Sequence, residues 1–261
     1  MDRFAERIRV RRRSLRGGPV PLPEGTTWQI DRGLSPDPTW RPAVHSATVT
    51  KLGAQVKLTL LGPERFQYRV RAGSKELSHR FGGTFPEALG EGEQARALLA
   101  VGLGTAKRKG ARGLAIGGAV GLKFGSGAGV LVVENDRIRI ERSESFTPIA
   151  DADAVELTLT ADDGRPLPET RIVGSRRPRA ALGVLEDGSV LVASTTFDTD
   201  EATTDALLDA GCARVVALDR GAHQNAYVHQ AGGETPPEAR YESTTLYVLR
   251  MSMRGRALSL R

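Results

Sequence analysis

The chain has 261 residues, of which 39% are hydrophobic and 26% charged, a balance that is typical of a folded globular protein rather than a disordered one. Only 5% of the residues are aromatic whereas 30 are glycine, which favours short strands and tight turns over long packed helices. The single cysteine, Cys212, excludes an intrachain disulfide and fits a small buried side chain, and no Cys/His cluster has zinc-site spacing.

The positive charge is concentrated at the N-terminus. Residues 1–20 hold seven arginines against Asp2 and Glu6, which accounts for +5 of the formal net charge of +6. Such a tail fits a solubilising segment, or one that binds an anionic surface or a protein partner. The body of the chain is nearly neutral, so its charge does not indicate a nucleic-acid-binding face.

Residues 17–43 are rich in Pro and Gly but also hold Trp28 and Trp40. Proline removes ladder donors and fixes φ, so the segment is predicted to be extended, and the tryptophans favour wrapping on a surface. We therefore expect a basic N-terminal arm over residues 1–43 and one domain over residues 44–261.

No signal-peptide core and no run of about 20 apolar residues is found, so neither export nor a transmembrane segment is predicted. The sequence as given indicates a cytoplasmic location, and an extracytoplasmic one if it is part of a longer chain.

The first part of the domain alternates apolar and polar residues. This period-2 pattern predicts an antiparallel meander of His45–Thr50, Ala54–Leu61 and Phe66–Ala72. A stripe of apolar residues at helical spacing then predicts a helix over Glu91–Arg108.

The second part is predicted to hold more short strands and one helix. The helix runs from Thr199 to Ala210, with Asp198 as its cap and Gly211 as its stop. The predicted strands are Leu114–Val120, Gly129–Val133, Arg137–Ile140, Val155–Thr160, Ala181–Leu185, Val190–Ser194, Arg214–Leu218, Ala226–His229 and Thr244–Arg250, with hairpin turns at Asn135-Asp136 and Asp187-Gly188. The fold class expected is α+β, with mixed or antiparallel sheets and a few flanking helices.

Several short segments of the second half resemble the phosphodiester glycosidase family, over roughly residues 115–249. They occur in the family's order and spacing: Ala115-Ile116-Gly117-Gly118, Arg179-Ala180-Ala181-Leu182-Gly183, the helix ending at Gly211, Leu218-Asp219, and the closing Leu246-Tyr247-Val248 strand. The family includes the uncovering enzyme, which removes N-acetylglucosamine from a phosphodiester-linked sugar. The resemblance implies a phosphosugar ligand.

The candidate site residues come in part from the resemblance, in which Asp219 matches the family's Leu-Asp aspartate and Arg179 its strand arginine. Asp219 and His223 lie four residues apart at the end of one predicted strand, so they are expected to act as the acid/base pair. Substrate binding is expected from a second set: Arg179, Arg220, Gly117, Gly118 and Gly221. No metal ligand is predicted, and no cofactor is indicated either way.

Two positions depart from the family. Gly117 stands where the family usually has Asn, and Arg220-Gly221-Ala222-His223 replaces a Gly-Gly-Gly-Ser run. An arginine can hold a phosphate with its guanidinium where the glycines would present backbone N–H groups. Two functions therefore fit the sequence: a hydrolase of sugar phosphodiesters, or a catalytically degraded relative that serves as a binding or assembly module through its basic arm.

Overall fold

A computed structural model describes residues 20, 22, 26–30, 44–63, 66–74, 85–104, 113–171, 173–218 and 227–251. About half of these residues, 49%, lie in strands and 9% are helical. The strands are β1 (Gln29–Ile30), β2 (Val44–Lys51), β3 (Ala54–Leu61), β4 (Phe66–Arg71), β5 (Ala97–Gly102), β6 (Leu114–Ile116), β7 (Ala119–Leu122), β8 (Gly129–Glu134), β9 (Arg137–Arg142), β10 (Asp153–Asp162), β11 (Arg165–Pro166), β12 (Arg177–Val184), β13 (Val190–Phe197), β14 (Val215–Leu218), β15 (Val228–Gln230) and β16 (Thr245–Arg250). The described helices are α1 (Glu91–Gln94), α2 (Glu201–Asp209) and a 3-10 turn at Pro168–Arg171.

The strands form two antiparallel sheets. The larger sheet has the order β1-β2-β3-β13-β12-β14-β10-β6-β7, with β8 and β11 also paired to β10 and β9 paired to β8. The smaller sheet has the order β15-β5-β16-β4. The predicted α+β class is therefore wrong: the described residues form a β fold of two stacked sheets with one helix of two turns or more.

The two sheets enclose the main core. Leu99, Val101 and Val248 of the smaller sheet pack on Leu182 and Val216 of the larger one, and all are fully buried. The opposite face of the larger sheet is covered at one end by α2 through Ala202, Ala206 and Leu207. A separate apolar cluster covers that face at the other end, around Val130, Val132 and Phe146.

Four two-residue turns connect neighbouring strands, and in each of them both residues have positive φ. They are Leu52-Gly53, Gly117-Gly118, Asn135-Asp136 and Asp163-Gly164. Positive φ at both positions is the type I′ geometry, which matches the twist of the flanking strands. The hairpins predicted at Asn135-Asp136 and Asp187-Gly188 are confirmed, but the strand predicted over Leu114–Val120 is a hairpin that turns at its glycine pair.

The helix predicted over Glu91–Arg108 is wrong beyond its first turn. Only Glu91–Gln94 is helical, and Ala97–Gly102 is β5, which pairs with β15 on one side and β16 on the other. Both faces of β5 are covered, so it is a continuous apolar run. An apolar run of this kind also fits helical spacing, so periodicity alone cannot distinguish a strand from a helix here.

The helix α2 joins two parallel strands that are not neighbours. Both β13 and β14 pair antiparallel with β12, which lies between them, so β13, α2 and β14 form a split β-α-β unit. Gly211 ends the helix as predicted: its N–H donates to Leu208 O at 2.9 Å and that of Cys212 donates to Leu207 O at 3.0 Å, a Schellman motif.

The predicted cap of α2 is wrong. The cap residue is Asp200 rather than Asp198, and its side chain makes no capping hydrogen bond. The first-turn N–H of Glu201 instead donates to Thr199 Oγ1 at 3.3 Å.

Part of the segment expected to form the arm packs on the α2 side of the larger sheet. Trp28 donates from Nε1 to Val20 O at 2.6 Å and meets His45 edge to face at 6.5 Å. Leu22 packs against the same cluster, and β1 pairs with the edge of β2.

Candidate functional site

Polar side chains gather on the larger sheet at the end towards which β14 runs. Thr158 of β10, Ala217 of β14 and Ala181 of β12 are paired across the sheet and therefore share a face, the face that α2 covers. The strands β10 and β12 run parallel to each other. Glu156, two residues before Thr158 on β10, and Arg179, two residues before Ala181 on β12, therefore lie on the same face. We call Glu156, Thr158, Arg179 and Asp200 the polar strip.

The polar strip lies between the two apolar clusters of this face. All four of its side chains are buried, with exposed fractions of 4%, 6%, 5% and 1% in chain order. Because buried polar groups destabilise a fold unless they are bonded, the bonding of each member indicates its role.

The guanidinium of Arg179 is bound to the connection between β13 and α2. Its Nε donates to Phe197 O at 3.2 Å and its Nη2 to Asp198 O at 2.5 Å. Its Nη1 lies 3.7 Å from Asp200 Oδ1. A Cβ at Gly174 would lie 2.9 Å from Nη2, so a side chain at this position would have to displace the end of the guanidinium. Arg179 therefore fixes the start of α2 against β12.

The carboxylate of Glu156 has one oxygen fixed and one available. Its Oε2 accepts the backbone N–H groups of Gly113 at 2.7 Å and Gly125 at 2.9 Å. Its Oε1 accepts no hydrogen bond from the residues that the structure describes. The backbone N–H groups of Gly113 and Gly125 thus orient this side chain, and Oε1 can still accept a hydrogen bond.

The hydroxyl of Thr158 is buried and has no hydrogen-bond partner among the described residues. This contrasts with Thr160, the next residue on the same face, whose Oγ1 donates to Val215 O at 3.3 Å and accepts from Thr204 at 2.9 Å. A buried hydroxyl without a partner is uncommon in folded proteins, because leaving it unbonded destabilises the fold.

The Gly117-Gly118 turn lies at the same end of the sheet, beyond the start of β10. Gly117 has φ +57° and donates its N–H to Asp153 Oδ1 at 2.9 Å. Gly118 has φ +78°, and a Cβ there would come within 2.9 Å of the backbone of Asp151. The glycine pair is thus required by a hairpin turn, and no close neighbour restricts a side chain at position 117.

Of the residues predicted to form the site, the structure brings Arg179 and the Gly117-Gly118 turn to one end of the sheet. The others, Asp219, Arg220, Gly221 and His223, lie outside the described residues. Asp219 follows directly in the chain from Leu218, the end of β14, whose partner Ala180 is next to Arg179.

The sequence prediction missed Glu156, Thr158 and Asp200. A signal for Glu156 was available, since it is the one charged residue inside the predicted strand Val155–Thr160. Its link to Arg179 depends on the register of β10 and β12 with β14, which the sequence does not specify.

Among the described residues, no three His, Cys, Asp or Glu side chains lie close enough to hold a metal ion. In the same part of the chain, no helix has the length and hydropathy needed to cross a membrane.

Comparisons with known proteins add little. No family model matches the chain, and no curated protein matches it. One solved structure that the chain resembles is a crystal structure of a hypothetical protein from Synechocystis, with 11% identity and a TM-score of 0.48. The match covers 82% of this chain and 63% of that one, so this chain spans less than two thirds of its length.

Proposed function

We propose that the chain is a phosphodiester glycosidase-like domain that hydrolyses a sugar–phosphodiester linkage at the end of the larger sheet where the polar strip lies. The proposal is supported by the positions of Glu156, Arg179 and the end of β14 at the same end of the sheet. Glu156 and Arg179 flank β14 on one face of the sheet, and β14 leads directly into Asp219. A buried carboxylate at the end of the sheet where the chain enters Asp219 fits acid/base chemistry on a phosphorylated sugar.

In the proposed reaction, water adds to the anomeric carbon and the bond from that carbon to the phosphate oxygen breaks. A general acid donates a proton to the oxygen of the leaving phosphate ester, and a general base accepts a proton from the water. Asp219 and His223 are assigned to these proton transfers, each of which typically contributes about 10²–10⁴ in rate.

The phosphate is assigned to Arg220 rather than to Arg179. The guanidinium of Arg179 already bonds to the carbonyls of Phe197 and Asp198 and faces Asp200, so its charge serves the fold. An arginine directly after Asp219 would supply the bidentate donors that a phosphate needs.

The test is release of free sugar from a panel of hexose 1-phosphodiesters, including one of N-acetylglucosamine, measured by anion-exchange chromatography. We expect turnover by the wild-type protein and a loss of about 10²-fold or more in Asp219→Asn. Asp163→Asn is the matched control, since Asp163 is exposed in a turn at φ +48°, a conformation that asparagine tolerates. Unchanged turnover in Asp219→Asn would remove Asp219 from the mechanism.

The second function, a binding or assembly module without catalysis, is favoured by the structural bonding of Arg179, which leaves one fewer guanidinium for a phosphate. A wild-type protein that turns over none of the phosphodiesters supports it. In that case deletion of residues 1–16 is expected to abolish partner or anionic-vesicle binding and its salt dependence.

A further inference from the structure

We propose that the hydrogen bond between His229 and Tyr241 is a proton-sensitive latch, which holds the connection between β15 and β16 against the smaller sheet at neutral pH and loosens as the pH falls. His229 lies on β15, and Tyr241 lies in the connection, residues 231–244. The latch is a device of this part of the fold and does not rest on the proposed function.

The connection covers an apolar cluster on the smaller sheet. The cluster consists of four buried side chains, Leu89, Ala100, Tyr247 and Leu249, with Tyr241 packed against them. Side chains alternate between the two faces of a strand, and Leu99 and Val248 face the larger sheet, so this cluster lies on the outer face. Loosening the connection would therefore expose apolar surface to water.

The backbone ties the connection to the chain between β4 and β5. Leu89 donates its N–H to Ala239 O at 2.9 Å, and Ser74 donates its N–H to Tyr241 O at 3.1 Å. The side chain of Tyr241 adds a link to the sheet itself, since its hydroxyl lies 2.9 Å from Nδ1 of His229. This hydrogen bond is the one that a proton can break.

The hydrogen bonds of Tyr241 define the protonation state of His229 that the closed connection needs. The hydroxyl oxygen of Tyr241 accepts the backbone N–H of Glu238 at 2.8 Å. Its own hydrogen is then donated to Nδ1 of His229, so neutral His229 carries its proton on Nε2. Protonated His229 has a hydrogen on both ring nitrogens and cannot accept this hydrogen bond.

Protonation also leaves the hydroxyl hydrogen of Tyr241 without its acceptor. To donate again, this hydroxyl must turn away from His229. One acceptor in the cluster is the hydroxyl of Tyr247, which is buried without a hydrogen-bond partner among the described residues and whose ring lies 6.1 Å from that of Tyr241. The protonated state therefore favours a shifted position of Tyr241.

The surroundings of His229 set the direction of the response to pH. Its partner on β5 is the uncharged Ala100, and the rings of Tyr227 and Tyr241 lie 4.9 and 5.5 Å from its own. Burial lowers the pKa of His229, and the carboxylate of Glu238 opposes this shift. Because the pKa is lowered in the closed state, that state takes up a proton less readily and is disfavoured as the pH drops below about 6.5.

An NMR titration of the wild-type protein, followed at the His229 ring and at the backbone amide of Glu238, tests the latch directly. We expect both signals to change with the same midpoint, because both groups bond to one hydroxyl. In Tyr241→Phe the pKa of His229 should rise, because the hydroxyl that stabilises its neutral form is gone. Tyr227→Phe is the matched control: its hydroxyl bonds to Thr245 Oγ1 at 2.7 Å, so the pKa of His229 should stay at the wild-type value.

Hydrogen exchange measures the loosening itself. After correction for the intrinsic effect of pH on exchange, the amides of Leu89 and Glu238 should exchange about 2–10-fold faster at pH 5.5 than at pH 7.5, the equivalent of one hydrogen bond. This difference should vanish in His229→Gln. A Glu238 amide that does not follow His229, a His229 pKa that does not rise in Tyr241→Phe, or equal exchange at the two pH values in the wild type would each overturn the latch.

Discussion

Replacing Thr158 with valine should make the protein more stable. The side chain is buried on a central strand, and its hydroxyl has no partner among the described residues. An unsatisfied buried hydroxyl costs about 1–3 kcal/mol, and valine keeps the shape and β-branching of threonine. We therefore expect the free energy of unfolding to rise by about 1–2 kcal/mol, because the polar group is lost without leaving a cavity.

The control is the same substitution two residues further along the strand. Thr160 faces the same side, but its hydroxyl bonds to Val215 O and Thr204 Oγ1. Thr160→Val should lower the free energy of unfolding by about 1–3 kcal/mol, because it leaves the hydroxyl of Thr204 buried without that partner.

Urea unfolding followed by circular dichroism measures both effects as shifts in the midpoint at constant slope. Opposite signs for the two variants are the expected result. A Thr158→Val variant that is destabilised to the same extent as Thr160→Val would refute the claim that the hydroxyl of Thr158 lacks a partner in the unliganded protein.

Two further predictions concern charged groups. Arg179→Met should lower the free energy of unfolding by about 3–5 kcal/mol, because it leaves the 1%-exposed carboxylate of Asp200 without that buried positive charge. The control Arg171→Met removes a surface ion pair with Glu201 and should cost less than about 1 kcal/mol in the same urea experiment. Burial lowers the pKa of His229, so the folded state takes up a proton less readily than the unfolded state and stability should fall as the pH drops below about 6.5. The loss of stability between pH 7.5 and pH 5.5 should be smaller in His229→Gln than in the wild type, and an equal loss would show that His229 does not contribute.

The hairpins of this protein could be predicted because their signals are local. A pair such as Asn135-Asp136 adopts positive φ at low cost, so two residues are enough to specify a turn and the register of the strands on either side. The same reasoning identifies Gly211 as a helix stop. The segment over Glu91–Arg108 was predicted wrongly because burial on both faces, which decides between helix and strand there, depends on β15 and β16 far along the chain.

The polar strip could be predicted only in part. Arg179 was found through its place in a family-like motif, and the sequence gives no sign that its guanidinium is bound to the carbonyls before α2. Glu156 and Thr158 come to the same face and the same end of the sheet as Arg179 only through the pairing of β14 with both β10 and β12, strands that are 15 residues apart in the chain. Long-range register of this kind is not encoded in any local pattern.

A crystal structure of the protein soaked with a hexose 1-phosphodiester tests the central claim most directly. We expect a sugar ring at the end of the larger sheet towards which β14 runs, with its phosphate turned away from Arg179, whose guanidinium is bound to Phe197 O and Asp198 O. Density for the ligand at any other place, with the polar strip unchanged and unoccupied at saturating ligand, would contradict it.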